Sequence, residues 1–133
     1  PPARPLTRGT ETLLLVEDEL AILKLTTKSL EQQGYTVLAA NAPADALLIA
    51  QTHSGRINLL LTDIVMPRMN GRELAERLKA LQPGLKCVFM SGYPANVIAR
   101  QGILEDGVHF IQKPFSMADL DAKIRAALDA RPA

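Results

Sequence analysis

Glu17, Asp18, Asp63, Ser91 and Lys113 are the side chains whose types and placement point to shared chemistry. Each stands at the end of a short apolar run, in Val16-Glu17-Asp18-Glu19, Thr62-Asp63, Ser91-Gly92 and Gln112-Lys113-Pro114. Taken singly, an acidic residue after a strand caps a helix or sits in a solvated turn, and a lysine before a proline is a surface lysine. Three carboxylates on one rim are a different case, because like charges a few ångströms apart repel until a cation or shared protons offset them. An oxygen-only donor set suits a hard cation, Mg²⁺ with retained waters, and the absence of His and Cys argues against zinc. With a metal present, the ammonium of Lys113 calls for a further anion, and a phosphoryl group fits. A carboxylate can attack phosphorus to give an acyl phosphate. Metal, ammonium and the Ser91 hydroxyl would then share the charge on the transferring oxygens.

The elements that must position these groups are short apolar runs at 12–16, 35–40, 57–62, 86–90 and 108–111. Several are continuously apolar, as strands covered on both faces are. Stripes of helical period lie between them. Ile22, Leu23, Thr26 and Leu30 precede a stop at Gly34, and Ala46, Leu47 and Ala50 follow an opening at Asn41 and Pro43. Leu74, Leu78 and Leu81 close at Pro83-Gly84, while Met117, Leu120, Ile124 and Ala127 open at Ser116 with Asp119 three residues on. A short, weak helix is expected at 94–101. Strands alternating with helices predict an α/β fold, a three-layer doubly wound parallel sheet of five strands. In such sheets ligands bind beyond the carboxyl ends of the strands, where the five candidate residues fall.

Composition narrows the function further. A chain of 133 residues with 47% apolar and 22% charged content suits one globular domain, with 1–10 as the end of a linker and 11–133 as the folded unit. Pro1 in place of Met and the proline-rich start suggest a piece of a longer protein. A net charge of +1 gives no long-range pull toward nucleic acid or an anionic membrane, and no apolar stretch is long enough to span a bilayer. The lone Cys87 reads as a small buried apolar residue in a reducing compartment, so a cytoplasmic location is expected. His53 and His109 have no ligand-spaced companion and are expected to be bystanders. Neither a Gly-x-x-x-x-Gly-Lys-Ser/Thr loop nor a Gly-x-Gly-x-x-Gly follows the first run, which removes the common nucleotide-binding readings.

In combination, the acidic pair, Asp63 followed by Met66-Pro67-x-x-Asn70-Gly71, Ser91, and Lys113-Pro114-Phe115 resemble the receiver domains of two-component response regulators over residues 11–130. The resemblance implies a flavodoxin-like sheet of strand order 2-1-3-4-5. It makes Asp63 the phosphoacceptor, Glu17 and Asp18 the metal-binding pair, and the backbone carbonyl of Val65 a further ligand of Mg²⁺. Ser91 becomes the switch hydroxyl, Lys113 the phosphoryl contact and Phe110 the switch aromatic, with a cis Lys113–Pro114 bond. On phosphorylation Ser91 would move toward the phosphoryl group and Phe110 would turn inward, changing the face of helix 4, strand 5 and helix 5, including the segment 94–102. The domain would catalyse its own phosphorylation. Glu17 stands where Asp is commoner, and its extra methylene suggests contact with the metal through water. Phe110 lacks a tyrosine hydroxyl. Val65 and Tyr93 are poorly suited to orient a water, which suggests slow self-dephosphorylation.

The basic, proline-rich approach and Ser91-Gly92-Tyr93-Pro94 resemble receivers fused after the catalytic core of hybrid sensor histidine kinases. Partners implied are a sensor histidine kinase or a histidine phosphotransfer domain, with no nucleic acid or membrane contact and a monomer or weak dimer. The alternatives are a free-standing single-domain regulator and a docking module that is not phosphorylated. A phosphatase with an aspartyl intermediate usually carries a second acid two residues after its nucleophile, where this chain has Val65.

Overall fold

A computed structural model describes residues 9–100 and 108–130. Strands β1 (Thr12–Val16), β2 (Thr36–Ala40), β3 (Leu59–Asp63), β4 (Lys86–Ser91) and β5 (His109–Gln112) alternate with helices α1 (Leu20–Gln32), α2 (Pro43–Thr52), α3 (Gly71–Leu81), α4 (Ala95–Arg100) and α5 (Met117–Asp129). The strands form one parallel sheet in the order β2-β1-β3-β4-β5. The order reverses between β1 and β3, and the crevice for a ligand lies above that switch point.

The pleat explains the continuous apolar runs. Leu14, Val16, Leu60 and Phe89 point to one face, where Ala46, Ala50, Leu74, Leu78 and Ile98 of α2, α3 and α4 cover them. Leu13, Leu15, Leu59, Leu61, Val88 and Met90 point to the other, under Leu23 and Leu30 of α1 and Leu120, Ile124 and Ala127 of α5. Successive side chains alternate between faces, so a strand with two covered faces must be apolar at every position.

The helix boundaries follow their capping chemistry. Asn70 caps α3 by accepting from the Glu73 N–H at 2.9 Å, and Ser116 caps α5 by accepting from the Asp119 N–H at 3.0 Å. Gly34, at φ +102°, ends the turn after α1, a conformation that disfavours any side chain. Pro43 is the first residue of α2, but its cap position is Ala42 rather than Asn41, and Ala42 makes no side-chain cap. Leu81 is exposed at the last turn of α3, so its apolar face is carried by Leu74, Ala75 and Leu78. Cys87 is half-buried rather than buried, and burial pushes its thiol up to about 11.

The packed body reaches back to Gly9, whose N–H donates to the Gln33 carbonyl at 2.9 Å. A methyl group at Gly9 would meet the Tyr35 ring at 2.0 Å. Residues 1–8 of the expected linker, and Gln101 and Gly102 of the expected moving segment, lie outside the described residues. His53 follows α2 and His109 opens β5, both half-buried. Among the described residues, no helix is long and apolar enough to cross a membrane.

Candidate functional site

β1 and β3 deliver the acidic groups to one rim. The ladder runs one residue past β1, because the Glu17 N–H donates to the Ala40 carbonyl at 3.1 Å. That extra rung holds Glu17 inside, fully buried, while the chain turns and leaves Asp18 exposed. Asp63 closes β3 and is buried as well. One carboxylate oxygen from each of Glu17, Asp18 and Asp63 lies within 4.8 Å of the others.

Lys113 enters the cluster from β5. Its backbone N–H donates to the Ser91 carbonyl at 2.8 Å, which ties the end of β5 to the end of β4. Its Nζ reaches Oδ1 of Asp63 at 2.6 Å and forms a short contact with Oε1 of Glu17. The Lys113–Pro114 peptide is cis. Ser91 is buried on the same rim, and its Oγ accepts from the Tyr93 N–H at 2.9 Å. Phe110 sits lower in β5, half-buried beside Phe89 of β4 and packed on the core beneath α2, α3 and α4. Val65 is exposed in the loop after β3.

Burial and mutual contact set the charge state. Asp63 is pushed up to about 8, first by burial and then by its hydrogen bond with Glu17, with Lys113 opposing. Burial also disfavours the charge on Glu17, but its hydrogen bonds with Asp63 and Lys113 outweigh this and hold it below the usual value. Lys113 shows the same balance with the opposite sign: burial lowers it, and its bonds to Asp63 and Glu17 raise it on balance. Burial and the neighbouring Glu17 thus favour a proton on Asp63, beside the Lys113 ammonium. A divalent cation would substitute for that proton. The donor set fits one, since it is all oxygen and contains an exposed member, Asp18, open to retained waters.

Two further residues touch the backbone of Asp63. The Thr62 hydroxyl donates to the Asp63 carbonyl at 3.0 Å. Gly71 packs so closely that a methyl there would lie 2.3 Å from the same oxygen. The Asn70-Gly71 pair was visible in the sequence as part of the motif after Asp63, but its contact with the strand end was not. In the same loop Arg68 adopts φ +73°, a strained conformation for a residue with a side chain.

The profile of the response regulator receiver domain matches residues 13–125. The sensor kinase CckA of Brucella abortus (strain 2308) is 35% identical over 121 residues, which are 91% of this chain and 13% of that kinase. The response regulator receiver protein CpdR of the same organism is 36% identical over 118 residues, 89% of this chain and 97% of that protein. Among solved structures, the receiver domain from hybrid histidine kinase CckA superimposes with a TM-score of 0.74 at 32% identity, covering 88% of this chain and 98% of that one. The chain therefore spans a small part of one curated relative and nearly all of another.

Proposed function

This chain belongs to the response regulator receiver family, and we propose that Asp63 is its phosphoacceptor, taking a phosphoryl group from a phosphohistidine of a partner protein. Receiver domains of two-component signalling take phosphoryl groups from histidine kinases or phosphotransfer proteins, and they are Mg²⁺-dependent in general. The observation that carries the assignment is Lys113 Nζ at 2.6 Å from Asp63 in a cluster of three carboxylates at the strand ends.

In the proposed reaction an oxygen of ionised Asp63 attacks phosphorus. The new O–P bond forms as the P–N bond to the donor imidazole breaks, and the imidazole leaves with a proton taken up at its nitrogen. Lys113 holds an ammonium against the acceptor and offsets charge on the transferring oxygens. Glu17, Asp18, Asp63 and the Val65 carbonyl would hold Mg²⁺, which supplies positive charge to the phosphoryl oxygens and favours the ionised form of Asp63. Ser91 exchanges its bond from Tyr93 for one to the phosphoryl group, and Phe110 turns toward the space it leaves. The altered face of α4, β5 and α5 is the output.

We place the domain in a cytoplasmic hybrid sensor histidine kinase, as a monomer or weak dimer that contacts neither nucleic acid nor membrane. Similarity to the kinase CckA and to its receiver structure supports that setting. The second reading, a free-standing single-domain regulator, is supported by coverage of 97% of CpdR. Intact-protein mass after incubation with Mg²⁺ and acetyl phosphate tests the chemistry. One added phosphoryl group is expected, absent in Asp63→Asn and absent with a chelator; an adduct that survives Asp63→Asn would reject the assignment. An immunoblot of the source cells separates the two settings, a band at the size of this chain favouring the single-domain regulator.

A further inference from the structure

We infer that Thr62 and Gly71 are positioning residues that clamp the peptide carrying the acceptor carboxylate, an inference that rests on Asp63 being the phosphoacceptor. The Asp63–Ile64 peptide is held from several directions. The Ile64 N–H donates to the Met90 carbonyl of β4 at 2.9 Å. The Thr62 hydroxyl, fully buried, donates to the Asp63 carbonyl at 3.0 Å. The Gly71 N–H donates to the Ile64 carbonyl at 2.8 Å. Gly71 also closes the remaining side, since a methyl there would sit 2.3 Å from the Asp63 carbonyl oxygen and 3.1 Å from both the Asp63 carbonyl carbon and the Ile64 Cα.

Such contacts are backbone atoms with nowhere to give. The φ of Gly71 is not in the left-handed region, so the reason for glycine here is the close approach and not its conformational freedom. The clamp matters because the strand ends at this point. Past the Ile64 N–H, which makes the last bond to β4, the ladder no longer fixes the chain, yet the carboxylate must stay within contact of Lys113 and Glu17. The Asp63 side chain leaves the same Cα whose carbonyl Thr62 and Gly71 fix, and Val65 follows one residue past the carbonyl bonded by Gly71. Small displacements of a reacting atom are costly: about 1 Å can cost roughly a hundredfold in rate.

The test compares Thr62→Val, Thr62→Ser and Gly71→Ala with the unaltered chain. Three quantities are measured: thermal midpoint, Mg²⁺ affinity by calorimetry, and the first-order rate of phosphoryl uptake at saturating Mg²⁺ and acetyl phosphate. Thr62→Val keeps the shape and removes only the hydroxyl. Its midpoint is expected to hold while uptake slows by roughly tenfold, and Thr62→Ser is expected to restore the rate to within about twofold. Gly71→Ala is expected to slow uptake at least as much and to weaken Mg²⁺ binding. A folded Thr62→Val with unchanged uptake and Mg²⁺ affinity would overturn the inference, as would Thr62→Ser no faster than Thr62→Val. Should Gly71→Ala fail to fold, the Thr62 pair decides alone. If the unaltered chain takes up no phosphoryl group, the phosphoacceptor assignment falls first and this inference with it.

Discussion

Lys113 joins Asp63 across an intervening strand: its Nζ lies 2.6 Å from Oδ1 of Asp63, while its backbone N–H is bonded to the Ser91 carbonyl of β4 at 2.8 Å. The order β3-β4-β5 makes this reach necessary, since β5 and β3 do not pair. The long lysine side chain crosses the end of β4 to meet carboxylates on β1 and β3.

Replacing Lys113 by Met should therefore do two separable things. Phosphoryl uptake should fall by about a hundredfold, the usual scale for removing one charge-stabilising group. Without metal, the variant should also lose stability at pH 8, because both carboxylates then lack the ammonium that balances them. At pH 5, or with Mg²⁺ present, that loss should shrink. Midpoints of thermal unfolding with and without Mg²⁺ check both statements, and equal losses at both pH values would contradict the second.

The strands and the rim of the site were legible in the sequence because a doubly covered parallel strand writes itself as an unbroken apolar run. A polar residue directly after such a run must then stand at the sheet's carboxyl edge. Glu17, Asp63 and Ser91 announced themselves this way, and Lys113 follows its run by one further residue. What remained hidden depends on contacts between distant segments. Nothing local reveals that Glu17 is buried and Asp18 exposed, since one extra ladder bond from the Glu17 N–H to the Ala40 carbonyl decides it. Likewise the helical period that groups Leu81 with Leu74 and Leu78 cannot report that Leu81 is left exposed. Thr62 and Gly71 act on backbone atoms, and backbone approach leaves no signature in residue type beyond the bare presence of a glycine.

The charge state of Asp63 makes metal-free stability depend on pH. Asp63 is raised from 3.8 to about 8, so between those values the folded chain keeps a proton that the unfolded chain has released. Stability must then fall as pH rises through that window. The lowered Glu17 acts in the opposite sense, but below its ordinary value of 4.5. Asp63→Asn should remove the slope and be more stable than the unaltered chain at pH 8 by about 1–3 kcal/mol. Saturating Mg²⁺ should recover the unaltered chain, by about 2.7 kcal/mol at a hundredfold excess over Kd. Denaturant melts from pH 5 to pH 8.5 give the comparison, and a slope shared by both proteins would reject the assignment of the proton to Asp63.

Val65 lies in the loop after β3 and Tyr93 just past the end of β4, and both are exposed. Neither offers a carboxylate or amide to direct a water at an acyl phosphate. The phosphorylated chain should therefore be long-lived, and Val65→Asn should shorten its lifetime by roughly tenfold. As a surface change it should move stability by no more than about 0.5 kcal/mol. Loss of the phosphoryl adduct, followed by intact mass after removal of the donor, measures both lifetimes. A half-life of only seconds for the unaltered chain would contradict the expectation.

At the opposite end of the sheet, Arg125 of α5 holds the approach to β1. Its Nη1 meets both carboxylate oxygens of Glu11, at 2.9 and 3.0 Å, and the Tyr35 hydroxyl at 3.4 Å, while its Nη2 meets Asp129 at 2.9 Å. Burial disfavours the charge on Glu11, but the hydrogen bond from Arg125 outweighs it and holds the carboxyl below its ordinary value of 4.5. A depressed folded pKa contributes stability that is present above the unfolded value and lost as pH falls through the folded one. Both side chains are about one-fifth to one-quarter exposed, at 21% and 24%, so solvent screens the pair and its worth is about 1 kcal/mol. A double-mutant cycle of Glu11→Gln and Arg125→Met should give that coupling at pH 7 and a value near zero once Glu11 is protonated. The cycle isolates this pair from the Asp129 contact, which both Arg125 variants lose equally. Coupling that persists undiminished in acid would show that the pair acts through the hydrogen bond and packing of the neutral Glu11 carboxyl, with its charge contributing nothing.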